Sequence, residues 1–231
     1  MFEYDRTDDR LTLRRPGTRW LSNGFDGGYR EAEAAHNLTV PEGFDRTDLG
    51  TYAAERLGDR PPGPTLLTGV SQRHARGARC GPVEAVATVG LSNPAVLPVN
   101  VEEGAVAEPS QQADGWQPGT VNVFVGTTRA LDDGALAGLL ATAVEAKTAT
   151  LLASVDVPGT TSDAVVVGSD PEGSPSAFAG SATEVGDAAR ACVRDAVLAS
   201  LDARYDGDDP PTPEEARYGL TTTREPSGFE P

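Results

Sequence analysis

The stretch TAVEAKTATLLASVDVPGTTSDAVVVG, Thr142 to Gly168, constrains the fold more than any other part of the chain. A helical apolar pattern runs into a Pro-Gly-Thr-Thr-Ser turn and then into Ala164 to Val167, a continuous apolar run that reads as a strand buried on both faces. Lys147 lies in this stretch and is the only lysine; every other basic residue is an arginine. At 100° per residue, Leu136, Leu140, Ala143, Val144 and Leu151 fall within about 60° of it. The ammonium therefore stands in the middle of the apolar stripe, where it must snorkel to water, lose its charge, or pair with a carboxylate. Glu145 is on the opposite side of the same helix. Asp163, just before the strand, is the candidate partner. An arginine brings a rigid, permanently charged fork in place of a compact ammonium. Two roles stay open for Lys147: an ion pair tying helix to strand, or a catalytic or substrate-orienting group.

Leu11 to Arg14 and Arg19 to Ser22 read as short strands around a Pro16-Gly17 hairpin turn. A glycine-dense loop follows, Ser22 to Gly28, then one or two helical turns at Tyr29 to Ala35 and a strand at His36 to Val40. Asp45 to Leu57 is a predicted helix capped by Asp45 or Thr47, with Gly58 beyond its end. Gly58 to Pro64 is a rigid linker and Thr65 to Thr68 a buried strand. Arg73, His74, Arg76 and Arg79 form a basic loop before the apolar strand Val83 to Ser92. Glu102 to Gly119 reads as an acidic surface loop, and Val121 to Thr127 as a strand. The main helices are predicted from Asp132 to about Ala153 and from Thr183 to about Ala203. These elements predict an α+β (mixed α/β) fold, a single domain over residues 1–204 with a mixed, largely buried sheet packed by about three helices. Residues 205–231, acidic and Pro-rich, read as a disordered or loosely docked tail. The tripeptide LSN occurs at Leu21 to Asn23 and again at Leu91 to Asn93, each time closing a strand, as two loops at one end of a sheet would.

With 35 acidic and 19 basic residues the net charge is −16, which argues against nucleic acid and anionic membranes as partners. The acid excess, the single lysine and the absence of isoleucine fit a halophile protein, because molar salt screens carboxylate repulsion within about 3 Å. Cys80 and Cys192 are far apart and show no metal-ligand spacing, so neither a disulfide framework nor a zinc site is expected. The acidic N-terminus is not a signal peptide, and no stretch approaches the roughly 18 uninterrupted apolar residues of a membrane helix. The expectation is a cytoplasmic protein; oligomeric state is not legible.

Several groups are suited to polar chemistry. Thr160, Thr161 and Ser162 place three hydroxyls between Gly159 and Asp163 at the mouth of a buried strand. They suit hydrogen bonding to a polar substrate, an oxyanion site, or simply a turn. Thr183, after Gly180-Ser-Ala, reads as a helix N-cap, and a helix N-terminus of that kind also suits an anion or carbonyl. The basic loop suits a phosphate or carboxylate, or neutralises local acid. His74 is the better placed of the two histidines for proton transfer.

The succession SNGFDGGYREA, TLLTGVS, VATVGLSNP, VNVFVGT, AVEAKTATLL, GTTSDAVVVG and AGSATEVG resembles the adenosylcobinamide amidohydrolase family (CbiZ) from about Leu21 to Ala203. The most specific elements are EAKT at Glu145 to Thr148 and GTTSDAVVV at Gly159 to Val167. The resemblance implies a hydrolase that cuts the amide joining the aminopropanol arm to the corrin ring of adenosylcobinamide. The small-molecule corrinoid carries the cobalt, and no protein-bound cofactor or metal is expected. On this reading the catalytic candidates are Lys147, Asp163, Glu145, Thr161 and Thr160. Asn23, Gly27, Gly28, Ser71, Asn93, Thr148, Ser162 and Thr183 become candidate substrate contacts. The chain departs from the family at Ala182, where relatives often carry histidine. That departure keeps open a non-catalytic corrinoid-binding protein; a second alternative is an amidohydrolase on another substrate, with the basic loop gripping a phosphate. The acid excess predicts that the protein is folded in molar potassium chloride and loses structure on dialysis to low salt, as followed by circular dichroism; an unchanged spectrum and full activity in dilute buffer would overturn the halophile reading.

Overall fold

A computed structural model describes residues 1–99, 120–213, 215–216, 218–224 and 226–231. The loop read at Glu102 to Gly119 lies outside them. Among the described residues the strands are β1 (Glu3–Arg6), β2 (Arg10–Ser22), β3 (Gly28–Thr39), β4 (Thr65–Thr68), β5 (Arg76–Cys80), β6 (Val83–Val89), β7 (Ala95–Val96), β8 (Val121–Ala130), β9 (Ala164–Pro175) and β10 (Leu220–Thr221). The α-helices are α1 (Leu49–Leu57), α2 (Asp133–Val155) and α3 (Glu184–Tyr205). The main sheet has eight strands in the order β4-β3-β2-β9-β8-β6-β5, with β1 added beside β2. It is mixed: β8 runs parallel to β9 and β3 to β4, and the other pairs are antiparallel. The expected α+β class holds.

Four local expectations are corrected. The Pro16-Gly17 turn is not a hairpin. The segment from Arg10 to Ser22 is one long strand whose register shifts between Arg14 and Thr18, so the Pro-Gly pair makes an irregularity in the ladder. Tyr29 to Ala35 is not helical either, although Arg-Glu-Ala-Glu-Ala-Ala is rich in helix formers. The tight connection after Ser22 returns this segment beside β2, and six of the ten β2–β3 ladder pairs hold it extended. Residue Arg76 onward, read as a loop, is the edge strand β5. The first helix starts at Leu49, four residues after Asp45, and Gly58 ends it with φ +58°.

Alternation sorts the central strands between two cores. Val121, Val123 and Val125 of β8, with Val165 and Val167 of β9, pack under α2 and α3. The intervening positions face the other side, where Leu11, Leu13, Trp20, Phe124 and Val166 form a second core. Gly126 and Gly168 are paired across β8 and β9 on that side. A Cβ at Gly126 would overlap the Phe2 ring, and one at Gly168 would come 2.8 Å from the Trp20 ring. The two bare positions are the floor on which Phe2 and Trp20 stack, with centroids 5.1 Å apart. A third core packs α1 on Leu38 and Leu67.

The sheet curls until its edge meets its middle. Asn122 of β8 donates from Nδ2 to the Leu67 carbonyl of β4 (3.0 Å) and to Asn37 Oδ1 of β3 (2.8 Å). Asn37 in turn donates to Thr88 Oγ1 of β6 (3.0 Å) and Gln72 Oε1 (3.2 Å). Buried amides survive here because each bonds to another. By length and composition α2 could cross a membrane. In this fold Leu136, Leu139, Ala143 and Leu151 are buried against the sheet.

His36 is fully buried, with Nε2 2.9 Å from the Pro61 carbonyl and Nδ1 3.1 Å from Thr12 Oγ1. A carbonyl only accepts, so Nε2 carries the proton and Nδ1 accepts from Thr12. Burial pushes its pKa below 6.5; the Pro61 carbonyl opposes this as the next largest effect, and repulsion from Arg10 and Arg60 adds smaller lowering contributions. Below pH 6.5 the unfolded chain takes up a proton that the folded chain refuses, so stability falls as pH drops through that window. Urea midpoints measured from pH 7.5 to 5 should decline, and His36→Gln should flatten the decline.

Candidate active site

Helix α2 starts cleanly because Asp132 accepts from the Ala135 N–H (2.7 Å), and it ends at Asp156 in the left-handed region, φ +57°. Helix periodicity turns Lys147 inward, where it is 6% exposed. Its Nζ is ion-paired with Asp163 Oδ2. Asp163 takes three further donors: Val121 N (2.9 Å), Thr160 N (3.1 Å) and Thr160 Oγ1 (2.5 Å). The carboxylate thus ties α2, the start of β8 and its own loop together. Gly159 covers the pair; a Cβ there would overlap Asp163 Oδ2 and lie 2.7 Å from Lys147 Nζ. No residue but glycine fits over this ion pair without displacing it.

The two LSN loops flank this loop. Asn23 accepts from the Val165 N–H through Oδ1 (2.7 Å), and its own N–H bonds to the Val165 carbonyl (3.2 Å). Asn93 donates through Nδ2 to Thr161 Oγ1 (2.7 Å), and its carbonyl accepts from Thr161 N (3.1 Å). Ser162 Oγ lies 2.9 Å from Thr120 Oγ1, a residue that sequence reasoning missed because it ends a long polar interval with no pattern of its own. Gly27 is pressed against the Ser22 carbonyl, 2.5 Å from where its Cβ would be, and Gly28 has φ +103°, so both serve the tight return from β2 to β3. Thr148, half-buried, is one position along α2 from the ion pair. Thr161 is exposed beside Thr160, which is 7% exposed.

Three candidates lie elsewhere. Glu145 points away from the sheet, 3.8 Å from Arg190 on α3, because two residues along a helix turn the side chain by about 200°. Ser71 Oγ donates to the Asp8 carbonyl (3.0 Å). Thr183 is the N-cap of α3, accepting from Gly186 N (3.0 Å). Ala182 shares a shallow cleft with Gly134 and Gly138. Lys147 is nine residues beyond Gly138, roughly 14 Å along the helix. Ala182 therefore lies beside the N-terminal part of α2, and Lys147 further along the same helix. His74 bonds to the Ala203 carbonyl (2.7 Å) and Arg73 Nε (2.9 Å), which makes it a brace between α3 and the sheet. Burial, reinforced by Arg204, Arg73 and Arg76, lowers its pKa.

Fold and site define an α+β protein in which a hydroxyl-bearing loop at the mouth of a mixed sheet is held from beneath by a buried lysine–aspartate pair. The family model described as adenosylcobinamide amidohydrolase (CbiZ) matches residues 3–208, and the chain belongs to that family. A Halobacterium salinarum protein named adenosylcobinamide amidohydrolase is 50% identical over 236 residues, covering 100% of both chains.

Breaking the pair from either side should be measurable in urea. Lys147→Met strands a buried carboxylate and should cost about 3–5 kcal/mol. Gly159→Ala should cost about 1–3 kcal/mol by overpacking. A midpoint unchanged in both variants would show that the pair does not hold the loop.

Proposed function

We infer that this protein hydrolyses the amide between the aminopropanol arm and the corrin ring of adenosylcobinamide, releasing aminopropanol and adenosylcobyric acid. The full-length relationship to the Halobacterium salinarum amidohydrolase carries this reading. Amide hydrolysis needs a nucleophile, control of a proton and stabilisation of an oxyanion. The loop from Gly159 to Asp163 is the element we assign to that work. Thr160 donates its hydroxyl hydrogen bond to Asp163, and Asp163 accepts from four donors, so both serve to hold the loop. Lys147 acts with them as a positioning residue. Thr161 is different: it is exposed, and its oxygen accepts from Asn93, which leaves its own O–H to point outward. Thr161 is the hydroxyl we assign to the scissile amide, with Ser162 beside it. Cobalt enters as part of the substrate, and the proposal uses no protein-bound cofactor.

The acid excess and the halobacterial relative support a cytoplasmic enzyme working in concentrated salt.

Incubation of the purified protein with adenosylcobinamide in molar potassium chloride should yield aminopropanol and adenosylcobyric acid. Thr161→Ala should lower turnover about 100-fold or more, in the range of a lost general acid–base or hydroxyl group, and Thr161→Ser should restore most of it. Corrinoid retained on the protein without product would replace the hydrolase reading with a binding one. Full activity in Thr161→Ala would remove Thr161 from the site.

A further inference from the structure

The acidic C-terminal segment docks onto the backbone that holds the candidate loop. Tyr218 N donates to the Ser92 carbonyl (3.1 Å), Leu220 N to Pro94 (2.9 Å) and Thr222 N to Val96 (2.9 Å). These bonds make a parallel ladder in which Leu220 faces Ala95 and Thr221 faces Val96. The opposite edge of the same segment bonds to the loop: Ala95 N donates to the Gly159 carbonyl (2.9 Å), Thr161 N to Asn93 (3.1 Å), and Pro94 bridges Thr160. Residues 92–96 are thus a middle strand between the tail and the loop. Gly219 lies flat against Pro94, where a Cβ would come 3.1 Å from the Pro94 oxygen. Just upstream, the Leu91 N–H donates to Tyr205 Oη at the end of α3 (3.1 Å). The family match ends at residue 208, so this ladder uses residues beyond it.

We propose that residues 218–222 are a positioning strand for the active-site loop, acting through Asn93. The role in turnover rests on the hydrolase reading above. A short segment bonded along one edge only is free to fray. Pairing on both edges fixes Asn93, which is 2% exposed, and so fixes the direction in which Asn93 presents its amide to Thr161. Small displacements of a reacting group are expensive in rate, about 100-fold for 1 Å.

The test uses full-length protein. Leu220→Pro deletes the N–H that bonds to Pro94, and Thr222→Pro deletes the one that bonds to Val96. Thr223→Pro, just past the ladder, is the control. The ladder variants should lose about 10- to 100-fold in kcat, with KM and the urea midpoint held at wild-type values, and should speed hydrogen exchange at the Thr161 and Ala95 amides. Thr223→Pro should change none of these. Because the tail acts through Asn93, Leu220→Pro in an Asn93→Ala background should cause little further loss. Wild-type kcat and exchange in both ladder variants would overturn the proposal, as would losses from Leu220→Pro and Asn93→Ala that multiply independently. If Leu220→Pro lowers the urea midpoint, Thr222→Pro decides, since it leaves the central bond intact. Wild-type protein that does not turn over adenosylcobinamide would refute the hydrolase reading, while amide exchange at Thr161 would still decide whether the tail holds the loop.

Discussion

A buried ammonium and a buried carboxylate meet where α2, β8 and the loop before β9 converge, and the candidate site depends on that meeting. Taking two charges out of water costs several kcal/mol per ion, and mutual attraction offsets this only when the remaining donors and acceptors are satisfied. Asp163 meets the condition by accepting from Val121 N, Thr160 N and Thr160 Oγ1 as well as Lys147. The consequence is conformational. Any movement of the loop from Gly159 to Asp163 breaks several bonds to one carboxylate together. Thr161 and Ser162 are presented from a rigid base, as a loop-borne site on a sheet scaffold requires.

The scaffold is rigid for two further reasons. Paired glycines on adjacent central strands admit the Phe2 and Trp20 rings, so the second core is built from aromatic stacking on bare backbone. Asn122 and Asn37 then bond the curled edge of the sheet to its middle. Asn122 is the neighbour of Val121, whose N–H holds Asp163. The side chain that closes the sheet and the amide that anchors the site are therefore one residue apart, and strand pleating sends one toward the concave core and leaves the other for the loop.

Regular periodicity and capping made α2, α3, β4 and β8 legible and placed Lys147 in an apolar stripe, with Asp163 a candidate partner that the structure pairs with it. The two LSN tripeptides were also readable as loops at one end of a sheet, and both flank the same five-residue loop. At Tyr29 to Ala35 and Pro16-Gly17 local propensity favours helix and turn, whereas the long-range pairing of β2 with β3 on either side of the register shift outweighs it. Glu145 stood in the most specific motif yet faces Arg190, so motif membership did not determine direction; helix rotation did.

The sequence by itself determined that the lone lysine stands in the apolar stripe of its helix, where it needs water, neutralisation or a carboxylate, because helix geometry is local at 3.6 residues per turn. It also determined the reactive residue types, three hydroxyls between a glycine and an aspartate. Only the tertiary structure decided which hydroxyl faces outward, that Gly159 must be bare over the ion pair, and that Asn93 links the loop to a C-terminal strand. They depend on how segments far apart in sequence, such as Asn93 and Thr161 or Val121 and Asp163, are brought together, in large part through backbone groups that every residue carries. No local pattern of side chains records them.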